Sequence, residues 1–340
     1  MTRAIISYTR CPAVPTISAL AYKLGLLQAE FADEPDIQVD HKSVGFSPKI
    51  DYGHDERFWI RNAGHAPGLW KQAQGVDSKF VGLSFLDGTY PVISLASSGI
   101  SDVAALRGRR LVVFKGKSAF DLLVNQQLKI YQTTLATAGL TLDDVELVTL
   151  APPTEFHQVP PGQAWRQRFL DLLQILGDNQ ADAGTWPVPP DAGDIPAFNV
   201  LYDTRLAADP LARVHPGVLR GVVVSGPLLR ERPDIVVRVL VRLLEAADFA
   251  LANPLQALRL IAEDLALAPE AVAAYYENVA QGVALSLEPV DLEALTVQKA
   301  FLLKHGLIAR DLDLSDIVDP APLAEARRIW EARRAAGKAA

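Results

Sequence analysis

One stretch constrains the fold more than any other. Residues 101–153 read SDVAALRGRRLVVFKGKSAFDLLVNQQLKIYQTTLATAGLTLDDVELVTLAPP. In order they give a short helix (DVAAL), a turn (RGR), a strand (RLVVF), a loop (KGKS), a long helix stopped at Gly139, a short helix (LDDV) and a second strand (VELVTL). Parallel strands need a crossover long enough to hold a helix, so this alternation predicts a parallel α/β sheet.

The flanking segments extend that pattern. AIISYT reads as a buried strand, and Ile17, Leu20, Leu24 and Leu27 share one face of a helix over 16–32. IQVDHKSV is a second strand; residues 55–75 read as a short helix, a turn at AGHAPG and another helix. KFVGLSFLDG and YPVISLASS are strand-like, with a turn at Asp87-Gly88. After the loop PPTEFHQVPPG come a helix (WRQRFLDLLQILGD), a strand (FNVLYD) and GVLRGVVVSGPLL, which contains a strand. From there the chain is helical at period 3.6. A chain of 340 residues has room for two lobes with cores. A ligand in such a protein is expected at strand ends or between lobes.

Composition narrows the function. Apolar residues make up 49% and charged residues 21%, as in ordinary globular proteins. The formal charge of -7 disfavours nucleic acid or an anionic membrane as partner. No apolar run approaches the roughly 18 residues of a membrane span. At the N-terminus only AIIS precedes Tyr8 and Arg10, too short for the core of a secretory signal. The expected location is therefore cytoplasmic, or periplasmic if an export signal was removed beforehand. The single cysteine, Cys11, cannot form an internal disulfide. It sits where the first strand gives way to a loop, in YTRCPAVP.

Several stretches resemble the substrate-binding proteins for aliphatic sulfonates, taurine and nitrate. The block from Ile100 to Pro153 matches that family's order of helix, L-x-G-K/R-R, strand, K-G-S-S-x, helix, A-G-L and strand. QADAGTWPVPP resembles the later segment that brings an aromatic over the ligand, and VVVSGPLLRERPDIVVRVLVRLLEAADFALANP the C-terminal return. The resemblance implies a type II periplasmic-binding-protein-like fold. In it, two α/β lobes flank a ligand cleft and the C-terminal segment is helical. Carried over, lobe one is 1–97 plus 222–340 and lobe two is 98–221.

One branch of that fold is enzymatic, the hydroxybiphenyl sulfinate desulfinases. Tyr8-Thr9-Arg10-Cys11-Pro12 resembles that branch's Tyr-x-x-Cys-Pro, with the next proline one residue later, and Arg61-Asn62-Ala63-Gly64 resembles its Arg-x-x-Gly. The resemblance implies Cys11 as nucleophile or acid, Arg61 as anion clamp and Gly64 as an oxyanion donor. Two histidines compete as its partner: His54 is the best candidate, with Asp51 standing at the equivalent spacing, and His65 is the rival.

The chemistry suits these residue types. A thiol beside cations ionises and attacks, imidazole titrates near working pH, and guanidinium offers a planar fork to sulfinate or sulfonate oxygens. The loop Lys115-Gly116-Lys117-Ser118-Ala119 precedes the long helix. There Gly116, Lys117, Ser118 and Ala119 are candidate anion contacts, with Ser118 as the alternative helix cap. His65 and Trp186 complete the candidate substrate contacts. No HxH or HExxH spacing occurs, so a metal site is not expected; the resemblance to the desulfinases implies that no cofactor is needed. Two functions stay open. One is a cysteine-dependent desulfinase releasing sulfite from a small organic sulfinate. The other is a binding protein feeding sulfonate, nitrate or a related anion to an ABC permease.

Overall fold

The computed structural model describes residues 4–10, 14–35, 37–43, 56–116, 120–155, 158–160, 162–191 and 193–339. Cys11, Asp51, His54, Lys117, Ser118 and Ala119 lie outside the described residues. The strands are β1 (Ala4–Arg10), β2 (Ile37–Ser43), β3 (Trp59–Gly64), β4 (Ser78–Phe85), β5 (Pro91–Leu95), β6 (Arg110–Phe114), β7 (Glu146–Leu150), β8 (Gly184–Thr185), β9 (Phe198–Asp203) and β10 (Leu219–Ser225). The helices of the first half are α1 (Ile17–Lys23), α2 (Leu26–Glu30), α3 (Ala66–Ala73), α4 (Leu122–Ala136) and α5 (Ala164–Gly177). The C-terminal third adds α6 (Gly226–Glu231), α7 (Pro233–Ala252), α8 (Pro254–Leu265), α9 (Pro269–Tyr275), α10 (Val279–Gly282), α11 (Pro289–Lys304), α12 (Leu314–Ile317) and α13 (Ala321–Ala339). Among the described residues no helix is long and apolar enough to cross a membrane.

A five-stranded sheet has the order β2-β1-β3-β10-β4. β1 runs parallel to β2 and β3, and β10 runs antiparallel to β3 and β4. Alternate residues of β10 feed opposite faces. Val222 and Val224 join Ile60, Ile17, Leu20 and Val239 on the α1–α7 side, while Leu219 and Val223 join Trp59, Leu69, Phe80 and Leu302 on the α3–α11 side. Both faces of the sheet are thus covered by helices.

That burial corrects one sequence expectation. The first part of 55–75 was expected as a helix, but it is strand β3, buried without interruption from Trp59 to Ala63. A strand buried on both faces shows no alternation, so its sequence resembles a short buried helix. The helix expected over 16–32 is also divided. Gly25 takes φ 73, a left-handed conformation that glycine adopts without strain, and separates α1 from α2.

The second unit holds the antiparallel strands β8-β5-β9 and the parallel pair β6-β7. A bridge between Leu111 and Ala183 sets β6 beside the entry to β8. Val112 and Phe114 face α5 through Phe169 and Leu172, while Leu111 and Val113 face α4 through Ile130 and Leu135. Two connections join the sheets, one between Phe85 and Pro91 and one between Asp203 and Leu219. β5 pairs with β8 and β9, and β10 belongs whole to the first sheet.

Candidate functional site

Strand direction gathers the site. β1 and β3 are parallel, so both end at the same edge of the five-stranded sheet. Thr9 pairs with Arg61 and Arg10 with Asn62, and Cys11 follows next in the sequence. β10 begins there, with Arg220 opposite Gly64, and β4 ends there, with Phe85 opposite Leu219. Both crossovers to the second unit leave this edge. Carboxyl ends of strands facing a second lobe are where ligands bind in open α/β folds.

The edge is held by buried hydrogen bonds. Asn62, 1% exposed, accepts from the Ser18 backbone N–H at 3.2 Å and from Ser18 Oγ at 3.0 Å. Its amide donates to the Gly221 carbonyl at 3.3 Å. Thr16 caps α1 by accepting from Ala19 N–H at 3.3 Å. The chain on each side of Cys11 is therefore anchored, by the ladder through Arg10 and by this cap after Val14.

Arg61 is buried, at 5% exposure, on β3 between Thr9 and Val223. Its guanidinium stays charged at any working pH. Gly64 approaches the second crossover. A Cβ there would stand 3.1 Å from the Pro216 carbonyl oxygen, which is tight enough to favour glycine.

His65 is fully buried. Its Nδ1 lies 2.9 Å from the Leu219 carbonyl oxygen, which can only accept, so Nδ1 carries the proton. Burial lowers its pKa to about 4, and the nearby Arg220 charge acts in the same direction. An imidazole this weakly basic is a poor acceptor for a thiol proton.

Sequence reasoning missed a group beside it. His215 is buried on the second crossover, and its Nδ1 accepts from Gly217 N–H at 3.0 Å. It meets Tyr90 edge-on, with ring centroids 4.5 Å apart. Burial, then the charge of Arg220, lowers its pKa to about 3. Arg220 itself is fully buried and donates to the carbonyls of Val218 and Gly217, each at 2.9 Å. It also lies over the Tyr276 ring at 5.4 Å and pairs with no carboxylate among the described residues. The clue available in sequence was HPGVLRG, a turn with a histidine and an arginine flanking glycine. Nothing there linked it to His65.

The 115–121 loop is closed by a residue the sequence reading passed over. Asp121, not Ser118, caps α4, accepting from Leu123 N–H at 3.1 Å and Val124 N–H at 3.2 Å. The same carboxylate accepts from Gly116 N–H. Those three N–H groups are thereby committed to a protein carboxylate. Gln127 fastens the strand end as well, accepting from Phe114 N–H at 3.0 Å. Asp121→Ala is expected to cost about 1–2 kcal/mol, as for other helix caps. It should appear as a lower urea midpoint at unchanged slope; an unmoved midpoint would show that the cap carries no stability.

Trp186 is buried, and its indole N–H donates to the Trp165 carbonyl at 2.9 Å. Trp165 stacks near Trp186, Tyr275, Tyr276 and Tyr90, with centroids 5.1 to 6.4 Å apart. This aromatic group joins the second unit to the C-terminal third. On the opposite side Trp70 meets Phe120 at 5.4 Å. Among the described residues no three His, Cys, Asp or Glu side chains group to hold a metal.

No protein-family model matches the chain, and no curated protein matches it. Solved structures do. The desulfurization enzyme DszB aligns over 96% of this chain and 99% of its own, with a TM-score of 0.76 at 21% identity. A cysteine-to-serine mutant of DszB in complex with biphenyl-2-sulfinic acid aligns equally widely, with a TM-score of 0.72. A putative periplasmic sulfonate-binding protein SsuA from Methylobacillus flagellatus covers 97% of this chain and 95% of its own, with a TM-score of 0.71 at 15% identity. The chain therefore has the two-lobed α/β fold of the periplasmic sulfonate-binding proteins, with a helical C-terminal segment.

Proposed function

We propose that the chain is a desulfinase-like enzyme that hydrolyses the carbon–sulfur bond of a small organic sulfinate. The observation that carries this reading is the β1–β3 register. Pairing of Arg10 with Asn62 brings the chain leading into Cys11 beside the buried Arg61. The substrate anion binds in the cleft between the lobes, with Arg61 as its clamp and Gly64 at the edge of the site. Cys11 is the nucleophile or proton donor, with His54 as its partner. The committed ring Nδ1 and the low basicity of His65 favour His54 over His65 in that role.

The reaction needs only water. R–SO2⁻ and H2O give R–H and HSO3⁻: the carbon–sulfur bond breaks, carbon takes one proton and sulfur takes the hydroxyl. No oxidant, reductant or cofactor enters the balance.

The competing reading is a binding protein of an uptake system, supported by the likeness to the sulfonate-binding fold. A panel of aryl and alkyl sulfinates separates the two, with released sulfite and heat of binding both measured. Sulfite released in proportion to enzyme and time supports the desulfinase. Tight binding of a sulfinate, sulfonate or nitrate with no sulfite from any sulfinate supports the transport reading.

Either reading needs the guanidinium. Arg61→Ala is expected to weaken the anion's affinity, or kcat/KM, about 100-fold, because a charge-assisted contact in a buried site is lost. Arg61→Lys should recover only part, since a point charge replaces a planar fork. An alanine variant within threefold of wild type would remove Arg61 from the site.

A further inference from the structure

We infer that His65, His215 and Arg220 enclose a binding site for one buried water, which donates to His65 Nε2 and accepts from His215 Nε2–H and Arg220 Nε–H. The three side chains are 0%, 1% and 0% exposed. In each, the named nitrogen is buried and has no hydrogen-bond partner among the described residues. Buried polar groups left this way are costly, and natural proteins satisfy them with protein atoms or ordered water.

The hydrogen bonds already made fix what the site offers. His65 gives its Nδ1 proton to the Leu219 carbonyl, so Nε2 is left with a lone pair. His215 takes a proton from Gly217 N–H at Nδ1, so Nε2 carries the hydrogen. Arg220 Nε is always a donor. The set is two donors and one acceptor. A divalent cation is rejected by the guanidinium, which has no carboxylate beside it. A fully deprotonated oxyanion would face the His65 lone pair. Water fits all three, and three bonds is the usual number for a buried water. Hydrogen bonds draw the three segments together: the Leu219 carbonyl, next to Arg220, holds His65, Leu219 N–H donates to the His215 carbonyl, and Arg220 donates to the Gly217 carbonyl. The wall is firm, since a Cβ on Gly217 would stand 2.4 Å from Tyr90 Oη and 2.7 Å from His215 Cε1.

The site also bears on the chemistry, and this part rests on the proposed function. Desulfination consumes one water, and the site stores one against a neutral imidazole acceptor one residue beyond Gly64. His65, His215 and Arg220 are then positioning residues for the co-reactant.

A high-resolution crystal structure of the wild-type protein is the first test. The expected result is one water within 2.7–3.2 Å of all three nitrogens. An empty site, a direct contact between the two imidazoles or an anion in place of the water overturns the inference. Long-range proton–nitrogen NMR at pH 7 tests it without crystals. His65 should be the Nδ1–H tautomer and His215 the Nε2–H tautomer; the opposite tautomer or a charged ring in either position overturns it. For the co-reactant role, His215→Phe should lower kcat at least tenfold with KM unchanged, and His215→Gln should restore most of it. A wild-type water together with unchanged kcat in His215→Phe refutes that role. If the wild type releases no sulfite, the proposed function falls and with it the co-reactant role. The water site is then decided by density and tautomers alone.

Discussion

Replacing Cys11 by serine is expected to abolish sulfite release, lowering kcat/KM at least about 1,000-fold, or roughly 4 kcal/mol of transition-state stabilisation. The change removes little else. Serine keeps the size and a hydrogen-bonding group at the end of β1. What it lacks is acidity: a thiol is a few per cent ionised at neutral pH and far more beside a cation, whereas a hydroxyl is not ionised. Ground-state binding uses the anion clamp, so the Kd for a sulfinate should shift less than about threefold, by the same logic that separates uniform from transition-state binding. Measuring both constants on one sample is decisive. Retention of more than a tenth of wild-type sulfite release would show that the cysteine is incidental, and a lost Kd would show a disturbed fold instead.

Acidification is expected to destabilise the protein before most carboxylates titrate. His65 and His215 are buried and neutral, with pKa values lowered to about 4 and about 3. In the unfolded chain both return to about 6.5. Between those values the unfolded state binds more protons, so unfolding free energy rises with pH and is lost as pH falls. The loss starts near pH 6.5 and continues to about pH 4 for His65 and about pH 3 for His215. Each pKa unit is about 1.4 kcal/mol, so from pH 7 to pH 4 the pair removes on the order of 5 kcal/mol. That is a large part of the stability of a typical domain. His305 is shifted the same way by burial and adds to the effect. Paired carboxylates such as Asp182 and Asp234 are held below their usual range by arginines, so they contribute at more acidic pH. The groups facing His215 are Arg220, His65 and Lys129, all basic, and none offsets the cost of a charged imidazole. Urea midpoints at pH 7, 5.5 and 4 should fall steeply in the wild type. In a His65→Gln, His215→Gln double variant they should fall less than half as far, from a lower start. Parallel pH curves for the two proteins would mean that the histidines titrate normally and are not buried neutral.

The residues show how much of this was legible in advance. The long helix α4 with its flanking strands β6 and β7 could be read from 101–153, because apolar period, Gly139 and loop residues all agreed locally. β1, β9 and α5 were legible for the same reason. β3 was not: it lies between β1 and β10 with helices over both faces, and none of these neighbours is visible in WIRNAG. The cap of α4 illustrates a finer limit. Ser118 and Asp121 are both good capping residues, and only the position of the helix start chooses Asp121.

The site divides along the same line. Sequence by itself determined that Arg61, Gly64 and His65 share one short segment and that a lone cysteine follows the first strand. It also determined the alternating order that makes a two-lobed α/β protein. Tertiary structure alone decided that β1 and β3 are parallel neighbours, so that the two segments end at one edge. It alone set Arg220 opposite Gly64 and the Leu219 carbonyl against His65, through an antiparallel pairing between strands far apart in the chain. The physical reason is that periodicity records which side chains leave water, whereas strand pairing and register depend on partners elsewhere in the chain that the local pattern does not name.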